Sequence, residues 1–226
     1  WQKIKYPTKE DLDAVAKEQP VYLRRIDGHA AWVNSKVLSI CGIDKNTEDP
    51  DGGKIIRDEN GYPTGIFIDN AIDLIEKFIP KDTSVDKKRY IEKAQESLNK
   101  FGLTSIHDAG TDIETINILK ELIQEDKLSI RVNAMLNNNI NDYNFYLKNG
   151  SERINNFLFV NSVKIYFDGA MGSRGAYLLE PYSDDKENVG LTVTSEDEVR
   201  KKVKIFNKAG FQVAIHCIGD KANRIA

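Results

Sequence analysis

Apolar positions between residues 81 and 226 alternate between two periods. Thr83 and Asp86 are spaced as a capping box; after them Ile91, Ala94, Leu98 and Phe101 recur at helical intervals until Gly102 closes the run. Leu103–His107 then reads as a strand, Ile113, Ile116, Leu119 and Ile123 as an amphipathic helix, and Ile130–Leu136 as a second strand. Val163–Phe167 is a third strand. Ser195 and Glu198 open a helix through Val199, Val203 and Phe206 to Gly210, and Phe211–His216 is a fourth strand. Strands alternating with helices of this length predict βα units on a parallel sheet. Four units make about half of a TIM-type (β/α)8 barrel. A doubly wound sheet is the weaker reading, because no glycine-rich dinucleotide fingerprint follows any strand.

Residues 1–80 have a different texture. Asp49-Pro50-Asp51-Gly52-Gly53, Asn60-Gly61 and Pro63-Thr64-Gly65 punctuate the chain densely. Asn60-Gly61 between Lys54–Arg57 and Gly65–Ile68 is a hairpin signal. The predicted architecture is therefore α/β: a partial barrel over residues 81–226 with an inserted irregular α+β lobe, residues 1–80, that carries a small antiparallel sheet.

In a barrel, chemistry collects where strands end. Three strand ends carry reactive side chains: His107-Asp108, Lys164 with Asp168, and His216 with Asp220. Alternation sets Val163, Ile165 and Phe167 on one face and Lys164, Tyr166 and Asp168 on the other; in the last strand His216 opposes Phe211, Val213 and Ile215. If the apolar faces pack under helices, Lys164 and His216 point inward. Burying an ammonium is costly, so such a lysine pairs with a carboxylate, snorkels to the rim, forms a Schiff base, or takes up carbon dioxide as a metal-bridging carbamate. His216, His107 and His29 each have an ordinary structural reading as hydrogen-bonded core, loop-capping and turn residues. Gly169-x-x-Gly172-x-x-Gly175 lacks the Gly-Lys-Ser/Thr ending of a phosphate loop. Its glycines are expected to let a loop fold closely over a pocket, with Arg174 offering a planar fork to the substrate.

Bulk properties remove other classes. A net charge of -3 leaves no electrostatic footprint for nucleic acid. No apolar run approaches the ~20 residues of a membrane span. Cys41 and Cys217 form no paired motif, which fits two plain thiols in a reducing cytoplasm. The sequence begins at Trp1 without Met, and Lys221–Ala226 reads as a helix with no stop signal, so it is read as an internal segment.

Five blocks then carry a family resemblance: PVYLRRIDGHAAWVNS (residues 20–35), GLTSIHDAG (102–110), VKIYFDGAMGSRGA (163–176), EPYSD (180–184) and QVAIHCIGD (212–220). In this order they resemble the YtcJ-like amidohydrolases, amidohydrolase family 3, over the whole sequence. The resemblance implies a barrel with a lobe inserted after strand one, a separate β-sandwich, and a centre of one or two divalent ions, zinc by expectation. Its implied ligands are a His-x-His after strand one, a lysine carbamate on strand four, histidines on strands five and six, and an aspartate on strand eight. Lys164 matches the carbamate and His216 the strand-five histidine; the other ligands would lie outside residues 1–226. The implied reaction is hydrolysis of a non-peptide C–N bond, in an amide or cyclic amide, by metal-activated water, with His29, His107 and Arg174 lining a small-molecule pocket. The competing readings are a metal-free lyase using Lys164 as a Schiff base and, for the isolated segment, a non-catalytic piece that binds metal weakly or not at all. Open sheet edges predict association of identical chains.

Overall fold

The computed structural model describes residues 6–226. Two compact units emerge among the described residues, and neither is continuous in sequence: residues up to 80, 166–196 and 217–226 form the first, and residues 81–165 and 197–216 the second. The sequence reading drew one boundary at residue 80 and gave everything beyond it to the barrel. In the structure the segments after two strands belong to the first unit.

In the first unit, helix α1 (Lys9–Ala16) begins where the Asp11 carboxylate accepts the Thr8 backbone N–H at 2.8 Å. Strands β1 (Tyr22–Arg24) and β2 (Ala30–Val33) follow, then helix α2 (Ser35–Cys41). Asn34 is fully buried and all its side-chain capacity is used. Its Oδ1 accepts from Val37 and Val21 backbone N–H groups, and its Nδ2 donates to the carbonyls of Ala16 and Gln19. That one side chain caps α2 and fixes the turn out of α1. Strands β3 (Gly53–Arg57) and β4 (Pro63–Asp69) form the hairpin expected from Asn60-Gly61, and the antiparallel order is β1-β2-β4-β3. Val33, Ile55, Phe67, Ala71, Ile72 and Ile75 make its core, the last of these on the short helix α3 (Asp73–Glu76). Each large side chain so buried contributes roughly 1.5–3 kcal/mol.

The second unit is the α/β layer. Helix α4 (Ser84–Lys100) starts at the Thr83–Asp86 capping box, with the Thr83 hydroxyl donating to Asp86 at 2.7 Å. Then come β5 (Ser105–Thr111), α5 (Ile113–Gln124), β6 (Arg131–Leu136), α6 (Ile140–Asn149), β7 (Glu152–Ile154), β8 (Leu158–Tyr166), α7 (Glu196–Lys208) and β9 (Gln212–His216). Strands β5, β6 and β8 are parallel neighbours; β7 runs antiparallel to the start of β8, and β9 also pairs with β8. Val132, Ala134, Leu136, Leu158, Val160 and Val163 face the helices, packing with Ile116, Leu119, Leu122 and Phe206. Among the described residues the sheet does not close on itself. None of the described helices is long and apolar enough to cross a membrane.

The later segments of the first unit are held by one carboxylate. Asp168 is 0% exposed and accepts three backbone N–H groups, from Tyr177 at 2.9 Å, Ile218 at 2.9 Å and Gly219 at 2.7 Å. It thereby ties the loop after β8 to the turn that opens helix α8 (Asp220–Ile225). Gly219 is required there, because a Cβ would overlap the Tyr177 carbonyl. Strand alternation placed Asp168 beside Lys164, but β8 ends at Tyr166 and the chain then turns the carboxylate into these amides.

Candidate functional site

On the second unit's sheet, one face packs under helices and the other carries several polar side chains. Leu136 pairs with Val163, and both lie in the core, so Lys164, one residue on, belongs to the opposite face. Lys164 is half-buried. Val213 packs on the same core, so His216, three residues on, also points away from it, on the strand that neighbours β8. His107 lies on this face as well. It pairs in register with Asn133, whose Nδ2 lies 3.4 Å from His107 Nδ1. Ser162 pairs with Met135 and so joins them. Two atoms here, Asn133 Oδ1 and Ser162 Oγ, are shielded from solvent yet have no hydrogen-bond partner among the described residues. The sequence reading passed over both residues. The signal was available for Asn133, which alternation puts on the face opposite Val132, Ala134 and Leu136.

The first unit builds a different arrangement. The antiparallel pairing of Ala30 with Ile68 brings the flanking residues His29 and Asp69 together, with a backbone bond from Asp69 N–H to the His29 carbonyl at 3.2 Å. Their side chains meet at 2.6 Å, Nδ1 to Oδ1, with the carboxylate 1% exposed. Asp69 has φ of 49°, a conformation costing a non-glycine residue roughly 1–3 kcal/mol. Its other oxygen, Oδ2, is buried without a partner among the described residues. Gly169 and Gly175 explain the packing, since a Cβ at either would overlap that carboxylate. A Cβ at Gly172 would overlap the Arg25 guanidinium. The glycine spacing thus seats charged side chains against the loop, and no phosphate cradle is involved. Nothing in the sequence around Asp69 marks it as more than a strand end.

Arg174, read as a fork for substrate, directs that fork at Asp184, with contacts of 3.2 Å and 2.6 Å, while its remaining nitrogen donates to the Tyr6 hydroxyl at 3.2 Å. His29 has a pH consequence. The hydrogen bond to Asp69 raises its pKa above the usual 6.5, against the opposing effect of burial. Asp69, Asp27 and Asp168 all add favourable charge to the imidazolium. A raised folded-state pKa contributes stability that is fully present below about pH 6.5 and is lost as pH rises through the folded value. We therefore expect the urea midpoint to fall on going from mildly acidic to alkaline buffer, with part of that slope missing in His29→Gln. Equal slopes in the two proteins would show that the pair does not titrate on unfolding.

As a donor set for a divalent ion, the second unit's face fits in part. One imidazole suits zinc, whereas a lysine does so only once its amine has become a carbamate oxygen. A catalytic zinc site takes about three protein ligands, and no group of three His, Cys, Asp or Glu side chains converges among the described residues. Lys164 and His216 are therefore a partial set.

The fold and its polar strand face define an α/β protein whose nitrogen donors stand near the carboxyl ends of neighbouring sheet strands, where α/β enzymes carry their chemistry. The chain belongs to the amidohydrolase family, which matches residues 1–225. It is 34% identical to the putative amidohydrolase YtcJ of Bacillus subtilis, over 96% of this chain and 41% of that protein. Identity to the N-substituted formamide deformylase of Arthrobacter pascens is 27%, over 96% of this chain and 41% of that protein. The crystal structure of an uncharacterised metal-dependent hydrolase from Pyrococcus horikoshii superposes with a TM-score of 0.69 at 31% identity, covering 98% of this chain and 43% of that one. The chain thus spans about two fifths of these relatives.

Proposed function

We propose that this chain forms part of a metal-dependent hydrolase that cleaves non-peptide C–N bonds in amides or cyclic amides, its parallel sheet being a section of a (β/α)8 barrel. The observation that carries the reading is the placement of Lys164 and His216 on neighbouring strands, both on the face turned away from the helices. The relative named for deformylating N-substituted formamides supports the bond type, and the structural neighbour's description as a metal-dependent hydrolase supports the metal. Lys164 would hold a divalent ion, zinc in our assignment, through a carbamate formed when its neutral amine adds carbon dioxide and releases a proton. His216 would bind through a ring nitrogen. Such an ion would supply Lewis acidity, polarising the scissile carbonyl and lowering the pKa of bound water to about 7. His107 is the residue of this face that we assign to the substrate.

The test is hydrolysis of a panel of small amides by the full-length protein before and after dialysis against a chelator. Activity is expected to vanish with the metal and return on adding zinc. Undiminished turnover by metal-free protein would refute the reading. Borohydride trapping of a carbonyl compound on Lys164 would favour a Schiff-base lyase instead.

A further inference from the structure

Helix α4 is 17 residues long, yet Gln95 alone among its described residues is buried. Ile91, Ala94 and Leu98 recur on one face of it, toward the sheet. Polar struts set the distance between helix and sheet. Gln95 donates to the Lys127 carbonyl and accepts the Ser129 backbone N–H, while Lys87 and Lys88 pair with carboxylates at the two ends of α5. At that distance Ile91 and Leu98 reach the core, but the single methyl of Ala94 does not fill the gap between them. What remains is a cavity of about 190 Å³, with Leu119 and Ile130 in its floor. Apolar cavities of about 150 Å³ admit a benzene ring.

One charge borders this apolar space. Ile106 packs on the core, so Asp108, two residues on along β5, shares its face and also lines the cavity. Its Oδ2 accepts the Thr111 hydroxyl at 2.9 Å, whereas Oδ1 has no partner among the described residues. Unlike the orphaned atoms of Asn133 and Ser162, Asp108 Oδ1 is not shielded from solvent, so a molecule entering the cavity can reach it.

We propose that this cavity is a binding site for a small primary amine with an apolar body, the body lying between Ala94 and Leu119 and the ammonium on Asp108. The carboxylate repels an anion, and a neutral hydrocarbon has nothing to offset the cost of covering Oδ1. An ammonium brings three donors and the complementary charge. The site lies on the helix-facing side of the sheet, opposite the face of Lys164 and His216, and it is independent of the hydrolase reading.

Benzylamine and benzyl alcohol are nearly isosteric probes, and at neutral pH only the amine is charged. In full-length protein with 13C-labelled leucine and isoleucine methyls, benzylamine is expected to shift the Leu119 and Ile130 signals saturably. Benzyl alcohol should bind about tenfold more weakly, and Asp108→Asn should remove that preference. Ala94→Leu keeps a strong helix former; it should fill the gap, raise the unfolding midpoint and exclude both probes. Equal affinity of the two probes for the wild type would overturn the proposal, as would shifts that persist undiminished in Ala94→Leu. So would the absence of any shift with benzylamine. The wild-type comparison decides the matter even if a variant fails to fold.

Discussion

Replacing Lys164 by alanine in the full-length protein is expected to abolish amide hydrolysis and to lower the bound metal by at least one equivalent. Residues that merely orient a metal ligand typically cost 10–100-fold in activity or affinity when changed, so loss of a ligand should cost more than about a hundredfold. Lys164→Arg should be as inactive, because a guanidinium keeps the charge but cannot take up carbon dioxide. A purely structural lysine behaves differently: half-buried on its strand, it would be served by arginine and missed in the unfolding midpoint. The discriminating readouts are metal content, the midpoint, and rescue of Lys164→Ala by a short carboxylic acid that supplies the missing oxygen ligand. Full activity in Lys164→Arg, or unchanged metal and turnover in Lys164→Ala, would end the carbamate assignment.

The parts of the fold legible from sequence are those fixed by local period. The helix opened by Thr83 and Asp86, the strand ending in Leu136 and the hairpin around Asn60-Gly61 all stand where their patterns placed them. Elements without such a period were missed. Helix α6 begins inside the asparagine-rich stretch from Asn137 to Asn141, capped by Asn139, where no apolar period announces it; its buried anchor is Tyr146, in the core beneath the sheet. Strand β8 begins five residues before Val163, because Leu158 and Val160 fill the same core while Asn161 disguises the alternation.

The site shows the same division. That Lys164 and His216 lie on the face turned away from the helices follows from alternation alone, which is local. The direction of Asp168 does not. Extrapolating the strand two residues past its end put it on the wrong surface, since its position is set by amides of residues 177, 218 and 219 that no short window contains. Asp69 is likewise fixed by His29, forty residues earlier, and by glycines a hundred residues later. Such long-range polar partners have no periodicity to betray them.

Asp168 carries the largest stability effect we expect. Its Oδ2 accepts from Tyr177 and Gly219 and its Oδ1 from Ile218, and the carboxylate is fully buried. Hydrogen bonds to a charged acceptor are worth about 1.5–3 kcal/mol each, and a buried N–H left unpaired costs about 1–3 kcal/mol. Allowing for relaxation and for water entering the gap, Asp168→Ala should destabilise the protein by about 3–5 kcal/mol. That is a large share of the roughly 5–15 kcal/mol available to a domain. Asp168→Asn should be nearly as harmful, because either orientation turns an NH2 group toward at least one of the three amides. A catalytic aspartate would behave in the opposite way, losing activity while the unfolding midpoint held. Urea denaturation of the wild type and both variants, with hydrogen exchange at Tyr177, Ile218 and Gly219, separates the two roles. An unchanged midpoint in Asp168→Ala, with those amides still protected, would show that other contacts hold the two segments and that this carboxylate is free for another task.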